Sequence, residues 1–166
     1  MRCLYGLDRY TSGVVKVDGE AVSIDSPAVA LSHGIALVSD DRKNIGLVLG
    51  LSIRKNLTLQ SPRLISHFGF IDDLVESELS VTTIREFSIR SRSDEQIVST
   101  LSGGNQQKVV LGKVLLSKPR VHILDEPTRG IDVGAKAEIY KLIKRLAEQG
   151  VAVILVSSEL PELIGL

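Results

Sequence analysis

The chain has a single cysteine, no tryptophan, 4% aromatic residues and no net charge, with 20 Lys and Arg against 20 Asp and Glu in 166 residues. Each shortage closes off a class of explanation. Cys3 alone cannot form an internal disulfide, so a disulfide scaffold is excluded and a reducing cytosol is the expected setting. Zero net charge projects no long-range field toward nucleic acid, which is therefore not expected as a partner. The longest uninterrupted apolar run, Val151 to Val156, is six residues, far short of the roughly 20 that a membrane-spanning helix needs. The chain reaches Asp8 and Arg9 before any apolar signal core can develop, so no secretory leader is expected. What remains is 43% hydrophobic residues in a chain long enough to bury about two thirds of its unfolded surface, and a core needs no metal or disulfide.

β-Branched residues flank Asp18-Gly19, a dipeptide whose positive φ angles suit a tight turn, and Val14 to Val22 reads as an antiparallel β-hairpin. Ser26 and Pro27 then start a short helix over Ala28 to Ser32, stopped at Gly34. Ile35 to Val38 follows as a buried strand. From Ser39 to about residue 100 there is no strong β signal, and the stretch reads as loops plus one amphipathic helix over about Asp72 to Glu86. The run Ser88 to Ser93 reads as a solvated connector. After Leu101 the pattern is strongly α/β. A helix over Asn105 to Ser117 is apolar nearly all round. The continuous apolar runs Val121 to Leu124 and Val151 to Val156 suit parallel strands covered on both faces. Ile139, Leu142, Ile143 and Leu146 mark the buried face of the helix between them, about Ala135 to Gln149. Strand, helix, strand makes a right-handed βαβ unit.

Two segments carry chemistry. In Leu101-Ser102-Gly103-Gly104-Asn105-Gln106-Gln107-Lys108, Ser102 can cap a helix, while Gly103 and Gly104 remove the side chains that would keep a ligand from its first-turn N–H groups. Such a helix start attracts phosphate. Ser-Gly-Gly alone also describes an ordinary loop leading to a capped helix. About twenty residues on, the strand Val121-His122-Ile123-Leu124 ends in Asp125-Glu126-Pro127, at the strand end where ligands of open α/β sheets gather. Adjacent carboxylates there face different ways, so one can hold Mg²⁺ while the next polarises an attacking water.

Together, Leu-Ser-Gly-Gly-Asn-Gln-Gln and Ile-Leu-Asp-Glu-Pro-Thr resemble the signature and Walker B motifs of ABC-type ATPase cassettes. Thr128 to Lys136, Ser39 to Lys43 and Val156 to Glu162 resemble more narrowly the second cassette of the double-cassette ATPases that drive bacterial uptake of ribose, galactosides and related sugars. The likeness runs nearly end to end and is weakest over 60 to 95. It implies a P-loop NTPase-like α/β cassette: a parallel sheet core, an N-terminal antiparallel hairpin and a helical subdomain, incomplete at both ends. The parts would be a partial nucleotide-binding core at 1–44, the helical subdomain at 45–100, and the signature helix, Walker B strand and βαβ part of the core at 101–166. It also implies ATP and Mg²⁺ as cofactors, Asp125 as the Mg²⁺-linked aspartate and Glu126 as the general base. Asp132 would be the loop aspartate that communicates across a cassette dimer. Leu101, Ser102, Gly103, Gly104, Asn105 and Gln106 would form the face that clasps the γ-phosphate of a nucleotide held by an opposing cassette. Implied partners are that second cassette, membrane permease subunits and, indirectly, a periplasmic sugar-binding protein, at the cytoplasmic face of the bacterial inner membrane.

The departures from the family pattern matter as much. Ser39 stands where the family's glutamine contacts Mg²⁺ and the attacking water, and Ser158 where its switch histidine contacts the γ-phosphate. Serine supplies neither an imidazole's reach nor its proton chemistry. His122 is a strand residue, while His33 and His67 fall at loop or helix-end positions, so none is expected to stand in. No Gly-x-x-x-x-Gly-Lys-Ser/Thr occurs in the sequence, and without it nothing cradles a β-phosphate. The chain is accordingly expected to start just after that loop, to stop before the last strands of a cassette, and to be inactive alone. Two roles stay open: an energy-coupling ATPase subunit of a sugar importer, or a non-catalytic module that completes a partner's ATP site. A DNA-repair or translation ATPase is disfavoured by the absence of long heptads and basic arms.

Overall fold

The computed structural model describes residues 1–165. Its strands are β1 (Val15–Val17), β2 (Glu20–Val22), β3 (Ile35–Val38), β4 (Ser66–His67), β5 (Phe70–Ile71), β6 (Val121–Asp125) and β7 (Ala152–Val156). Its α-helices are α1 (Pro27–Ser32), α2 (Ile53–Thr58), α3 (Asp73–Glu86), α4 (Gly103–Leu116), α5 (Val133–Glu148) and α6 (Leu160–Gly165). β3, β6 and β7 form a parallel sheet in the order β3-β6-β7, in register Ala36 to His122 to Val153. The apolar runs of β3 and β6 are explained by what covers the two faces, whereas β7, at the sheet edge, departs from the expected two-sided burial: Ala152 and Ile154 are exposed. One face meets α4 and α5 through Ala36, Val38, Leu124, Val110, Leu111, Ile139 and Ile143. The other carries Ile35 and Ile123 under Tyr5, Ile24 and Ala30, with Val15, Val17 and Val22 of the hairpin packed on top.

Local chemistry sets the element boundaries. Asp18 and Gly19 take φ of 52° and 85° in the β1–β2 turn, and Ser26 Oγ accepts from Val29 N–H at 3.4 Å to start α1 behind Pro27. Asp72 Oδ1 accepts from the N–H groups of Leu74 and Val75 and starts α3. The α2, α3 and α4 axes approach closely at Gly112, where a Cβ would lie 2.9 Å from Thr83 Cγ2 and 3.0 Å from Leu57 Cδ2.

The middle of the chain differs from the sequence expectation in three ways. It contains an antiparallel β4–β5 ladder that no period-2 pattern announces, because each strand is two residues long and the turn puts Phe68, a poor residue for it, at φ 51°. His67 is accordingly a strand residue. It also contains α2, too short for a periodic signal. That helix is held by its cap, Ser52 Oγ accepting from Lys55 N–H at 3.3 Å, and by the buried Asn56, which bonds Val48 N–H at 2.8 Å, Val48 O at 3.0 Å and Ser52 O at 3.0 Å. Finally, the Ser88 to Ser93 connector is anchored rather than simply solvated: Ile89 is buried in the main core and Lys108 Nζ donates to Ser88 O at 2.8 Å.

Candidate functional site

Two groups of residues are built at the carboxyl side of the sheet and the start of α4. Asp125 ends β6. Its carboxyl is held above the ordinary aspartate range, first by burial and then by the negative charge of nearby Asp40, with Glu126 adding to it. Glu126 leaves the strand with φ 48° and donates its N–H to Val156 O at 2.9 Å, which fixes its backbone against β7. Its Oε1 accepts from Ser158 N–H at 2.6 Å. Ser158 thus meets this carboxylate through its main chain, not its hydroxyl.

The turns after β6 and β7 are tied by Glu162, which is 1% exposed: it accepts from Thr128 Oγ1 at 3.0 Å and from Ser157 Oγ. Lys136 of α5 adds an ion pair to Glu159 at 2.6 Å. Ser39 is occupied locally, its Oγ donating to Asp40 Oδ1 at 3.2 Å and accepting from Asp41 N–H at 3.3 Å. Asp40 in turn pairs with Arg129 at 3.1 Å.

The second group surrounds the first turn of α4. Leu101 is buried and anchors the turn. Gln106 is buried and points its Nε2 inward to Val98 O at 3.3 Å. Ser102 occupies the N-cap position, as expected, but its hydroxyl caps no N–H; it accepts instead from Asn105 Nδ2 at 2.9 Å. Gly104 lets α4 meet α5, since a Cβ there would fall 2.4 Å from Ala135 Cβ. Asp132 caps α5 by accepting from Ala135 N–H at 2.9 Å. A polar cleft of about 190 Å³ gathers Ser102, Gly104, Asn105, Asp132, Arg90 and Glu138. Asp125, Glu126, Ser39 and Ser158 do not line it.

Sequence reasoning missed Arg90, Glu138 and Glu162. Glu162 lies in the segment that carried the family likeness, but nothing in its spacing announces burial between two hydroxyls. Arg90 and Glu138 sit in a Ser/Arg-rich run and on a charged helix face, where isolated charges give no signal. His122 is buried in β6 with both ring nitrogens unpartnered, and burial pushes its pKa down to about 4, so it carries no charge at neutral pH.

Among the described residues no cluster of three or more His, Cys, Asp or Glu side chains could cage a metal. The donors present suit Mg²⁺ rather than a protein-enclosed ion, since Mg²⁺ is ordinarily held by one or two carboxylates together with phosphate oxygens and water. The raised carboxyl of Asp125 beside Asp40 and Glu126 is the acidic environment that a cation relieves.

Comparison with known proteins places these features in a family. The ABC transporter family model matches residues 1–129. The ribose import ATP-binding protein of Lactococcus lactis subsp. lactis (strain IL1403) is 47% identical over 165 residues, covering 99% of this chain and 34% of that protein. The ribose and xylose import ATP-binding proteins of Geobacillus kaustophilus (strain HTA426) are 48% and 51% identical over 166 and 154 residues, or 34% and 31% of their own lengths. The chain thus spans about a third of the curated relatives it matches. Among solved structures, a dimeric bacterial ABC transporter cassette superposes with TM-score 0.77 at 22% identity, over 97% of this chain and 69% of that one. A nucleotide-free ATP-binding cassette of an ABC transporter gives 0.78 at 18%, over 99% and 66%. These two share the fold. On the family match and the relatives together, the chain belongs to the ABC transporter family.

Proposed function

We propose that these residues are part of the ATP-binding subunit of a sugar importer of the ribose or xylose type, and that their principal contribution is a phosphate-facing surface at the start of α4. One observation carries this reading: the N-cap Ser102 bonds no first-turn N–H of α4, and Ser102, Gly104 and Asn105 line a polar cleft beside Asp132. The import relatives, 47% and 51% identical, support the sugar class. Asp125 would hold Mg²⁺, which would supply charge stabilisation to the nucleotide's phosphates. Glu126 would orient the attacking water. Asp132 would face the opposing cassette, and the region 45–100 the membrane permease, at the cytoplasmic face of the membrane. A periplasmic sugar-binding protein would deliver the cargo.

A second reading is favoured by the contacts of the first group: a module that completes a partner's ATP site without hydrolysing its own. Glu126 is engaged by Ser158 N–H, Ser39 is engaged by its neighbours, and neither serine offers the reach of the family's glutamine or histidine.

One experiment separates the two. Residues 1–166 replace the matching segment of the L. lactis ribose import ATP-binding protein, and ATP turnover is measured for the chimera and its Ser102→Arg and Glu126→Gln variants. Loss with both variants supports hydrolysis at this site. Loss with Ser102→Arg alone supports the completing module. Full turnover with Ser102→Arg overturns the phosphate-facing role itself.

A further inference from the structure

Glu126 leaves β6 in a left-handed conformation, φ 48°, which a side chain of its kind keeps only where the surroundings fix it. Main-chain groups reach it from two turns. Its N–H donates to Val156 O at 2.9 Å, its carbonyl accepts from Arg129 N–H at 3.1 Å, and its Oε1 accepts from Ser158 N–H at 2.6 Å. Its Oε2 has no hydrogen-bond partner among the described residues. The direction of this carboxylate therefore depends on where the turn after β7 stands relative to the turn after β6. Glu162 bridges the two. It is buried and takes one hydroxyl on each oxygen: Thr128 Oγ1, two residues past Glu126, donates to Oε1 at 3.0 Å, and Ser157 Oγ, immediately before Ser158, donates to Oε2. Ser157 Oγ also accepts from Glu159 N–H at 3.0 Å, and Glu162 N–H donates to Glu159 O at 3.0 Å, so the bridge is closed into the start of α6.

We infer that Glu162 is a positioning residue for Glu126: by bridging Thr128 and Ser157 it holds the turns after β6 and β7 at one spacing, which keeps Ser158 N–H on Oε1 and leaves Oε2 as the oxygen open to a water at the strand end. The inference rests on the water-orienting role proposed above for Glu126 and assigns that orientation to a buried side chain whose own oxygens are both spent inside the chain. Only a carboxylate of this length completes the bridge. Both hydroxyls must donate to it, and a carboxylate offers an acceptor to each. Glu162→Gln turns an NH₂ group toward one of them, which must then give up its donation. Glu162→Asp keeps the charge but is one methylene too short to reach both turns.

The test reads amide hydrogen exchange in the full 166-residue chain by NMR. Ser158 N–H should exchange about ten- to a hundredfold faster in Glu162→Gln and Glu162→Asp than in wild type, the worth of one hydrogen bond to a charged group. Thr128→Val and Ser157→Ala, which each cut one arm of the bridge, should do the same. Ala152 N–H, which donates to Arg120 O at 3.0 Å at the other end of β7, should keep its wild-type rate in all four. In a Glu126→Ala background, Glu162→Gln should change the Ser158 rate by less than about twofold, because its effect runs through that carboxylate. A merely structural Glu162 would speed Ser158 and Ala152 together, or speed Ser158 equally with and without the Glu126 carboxylate. Either result overturns the inference, as does a wild-type Ser158 rate in Glu162→Gln. Turnover separates the inference from the reading beneath it. In the L. lactis chimera, Glu162→Gln should lower kcat about tenfold with KM for ATP unchanged, the mark of an interaction that matters only in the transition state. If Glu126→Gln lowers turnover there and Glu162→Gln does not, the inference is overturned. If Glu126→Gln has no effect, the water-orienting role of Glu126 fails by itself, and the exchange rates alone decide whether Glu162 positions it.

Discussion

Gly104→Ala tests whether the close approach of α4 and α5 is what the structure says it is. The added Cβ would stand 2.4 Å from Ala135 Cβ, where carbon atoms normally rest at about 3.5–4.0 Å. The start of α5 must therefore retreat by about 1 Å or more, and overpacking of that kind costs about 1–3 kcal/mol. Alanine recovers part of this, because it is favoured over glycine in a helix by roughly 0.5–1 kcal/mol. The net expectation is a loss of about 1–2 kcal/mol, seen as a fall of about 3–6 °C in Tm for a chain of this length. Urea unfolding with an unchanged m-value is the assay. Gly134→Ala is the control: it lies in the first turn of α5, its new Cβ would meet only Asp132 Oδ1 at an ordinary 3.4 Å, and it should stabilise slightly. The sharper check is the second-site variant, since Ala135→Gly vacates the colliding position and should recover most of what Gly104→Ala loses. Stability of Gly104→Ala equal to or above wild type, or equal losses for Gly104→Ala and Gly134→Ala, would refute the reasoning.

Three further outcomes are expected. His122 has a folded pKa of about 4 against an ordinary 6.5, so below pH 6.5 the unfolded chain takes up a proton that the folded chain refuses. Its contribution leaves stability unaffected above about pH 6.5 and removes about 3 kcal/mol by pH 4; urea unfolding of wild type and His122→Val should diverge as pH falls through that window, and parallel curves would contradict the assignment. Asn56→Ala strips partners from the Val48 and Ser52 backbone in a fully buried position, and a loss of about 2–4 kcal/mol is expected, with no loss pointing to water taking over. The 166 residues alone should bind Mg-ATP with an affinity weaker than millimolar by calorimetry, since no Gly-x-x-x-x-Gly-Lys-Ser/Thr loop is among them; micromolar affinity would show a nucleotide site of another kind.

The sheet and its covering helices were legible because Ile35 to Val38 and Val121 to Leu124 are continuous apolar runs largely buried on both faces; the equally apolar run Val151 to Val156 was expected to be covered in the same way, but it forms an edge strand that is only partly covered, with Ile154 37% exposed. The helix over Asp72 to Glu86 was placed from its apolar spacing, but the face it buries is not the one that spacing marks: Glu76, Ser80 and Thr83 are buried while Leu74 is 83% exposed, because Glu76 is held by Lys55 and Thr58 of α2. The β4–β5 ladder was not legible, since a two-residue strand has no period and Phe68 adopts a left-handed conformation against its preference. At the candidate site, the residue types and their order along the chain could be read. Their hydrogen-bond partners could not. Ser102 looks like a cap in any sequence, and only the fold brings Arg90 N–H to Asn105 and so takes the hydroxyl away from capping. Glu162 is similar: its burial between Thr128 and Ser157 depends on the turns after two strands 26 or more residues apart in the chain.

The central claim, that this chain supplies the phosphate-facing surface of a sugar importer's ATP-binding subunit, is tested most directly by uptake. Cells lacking their own ribose import ATP-binding protein, and carrying the L. lactis protein with residues 1–166 in place of its matching segment, are given labelled ribose. The account expects uptake above the empty-vector level that falls to that level with Ser102→Arg, at equal protein abundance. Uptake unchanged by Ser102→Arg would contradict it.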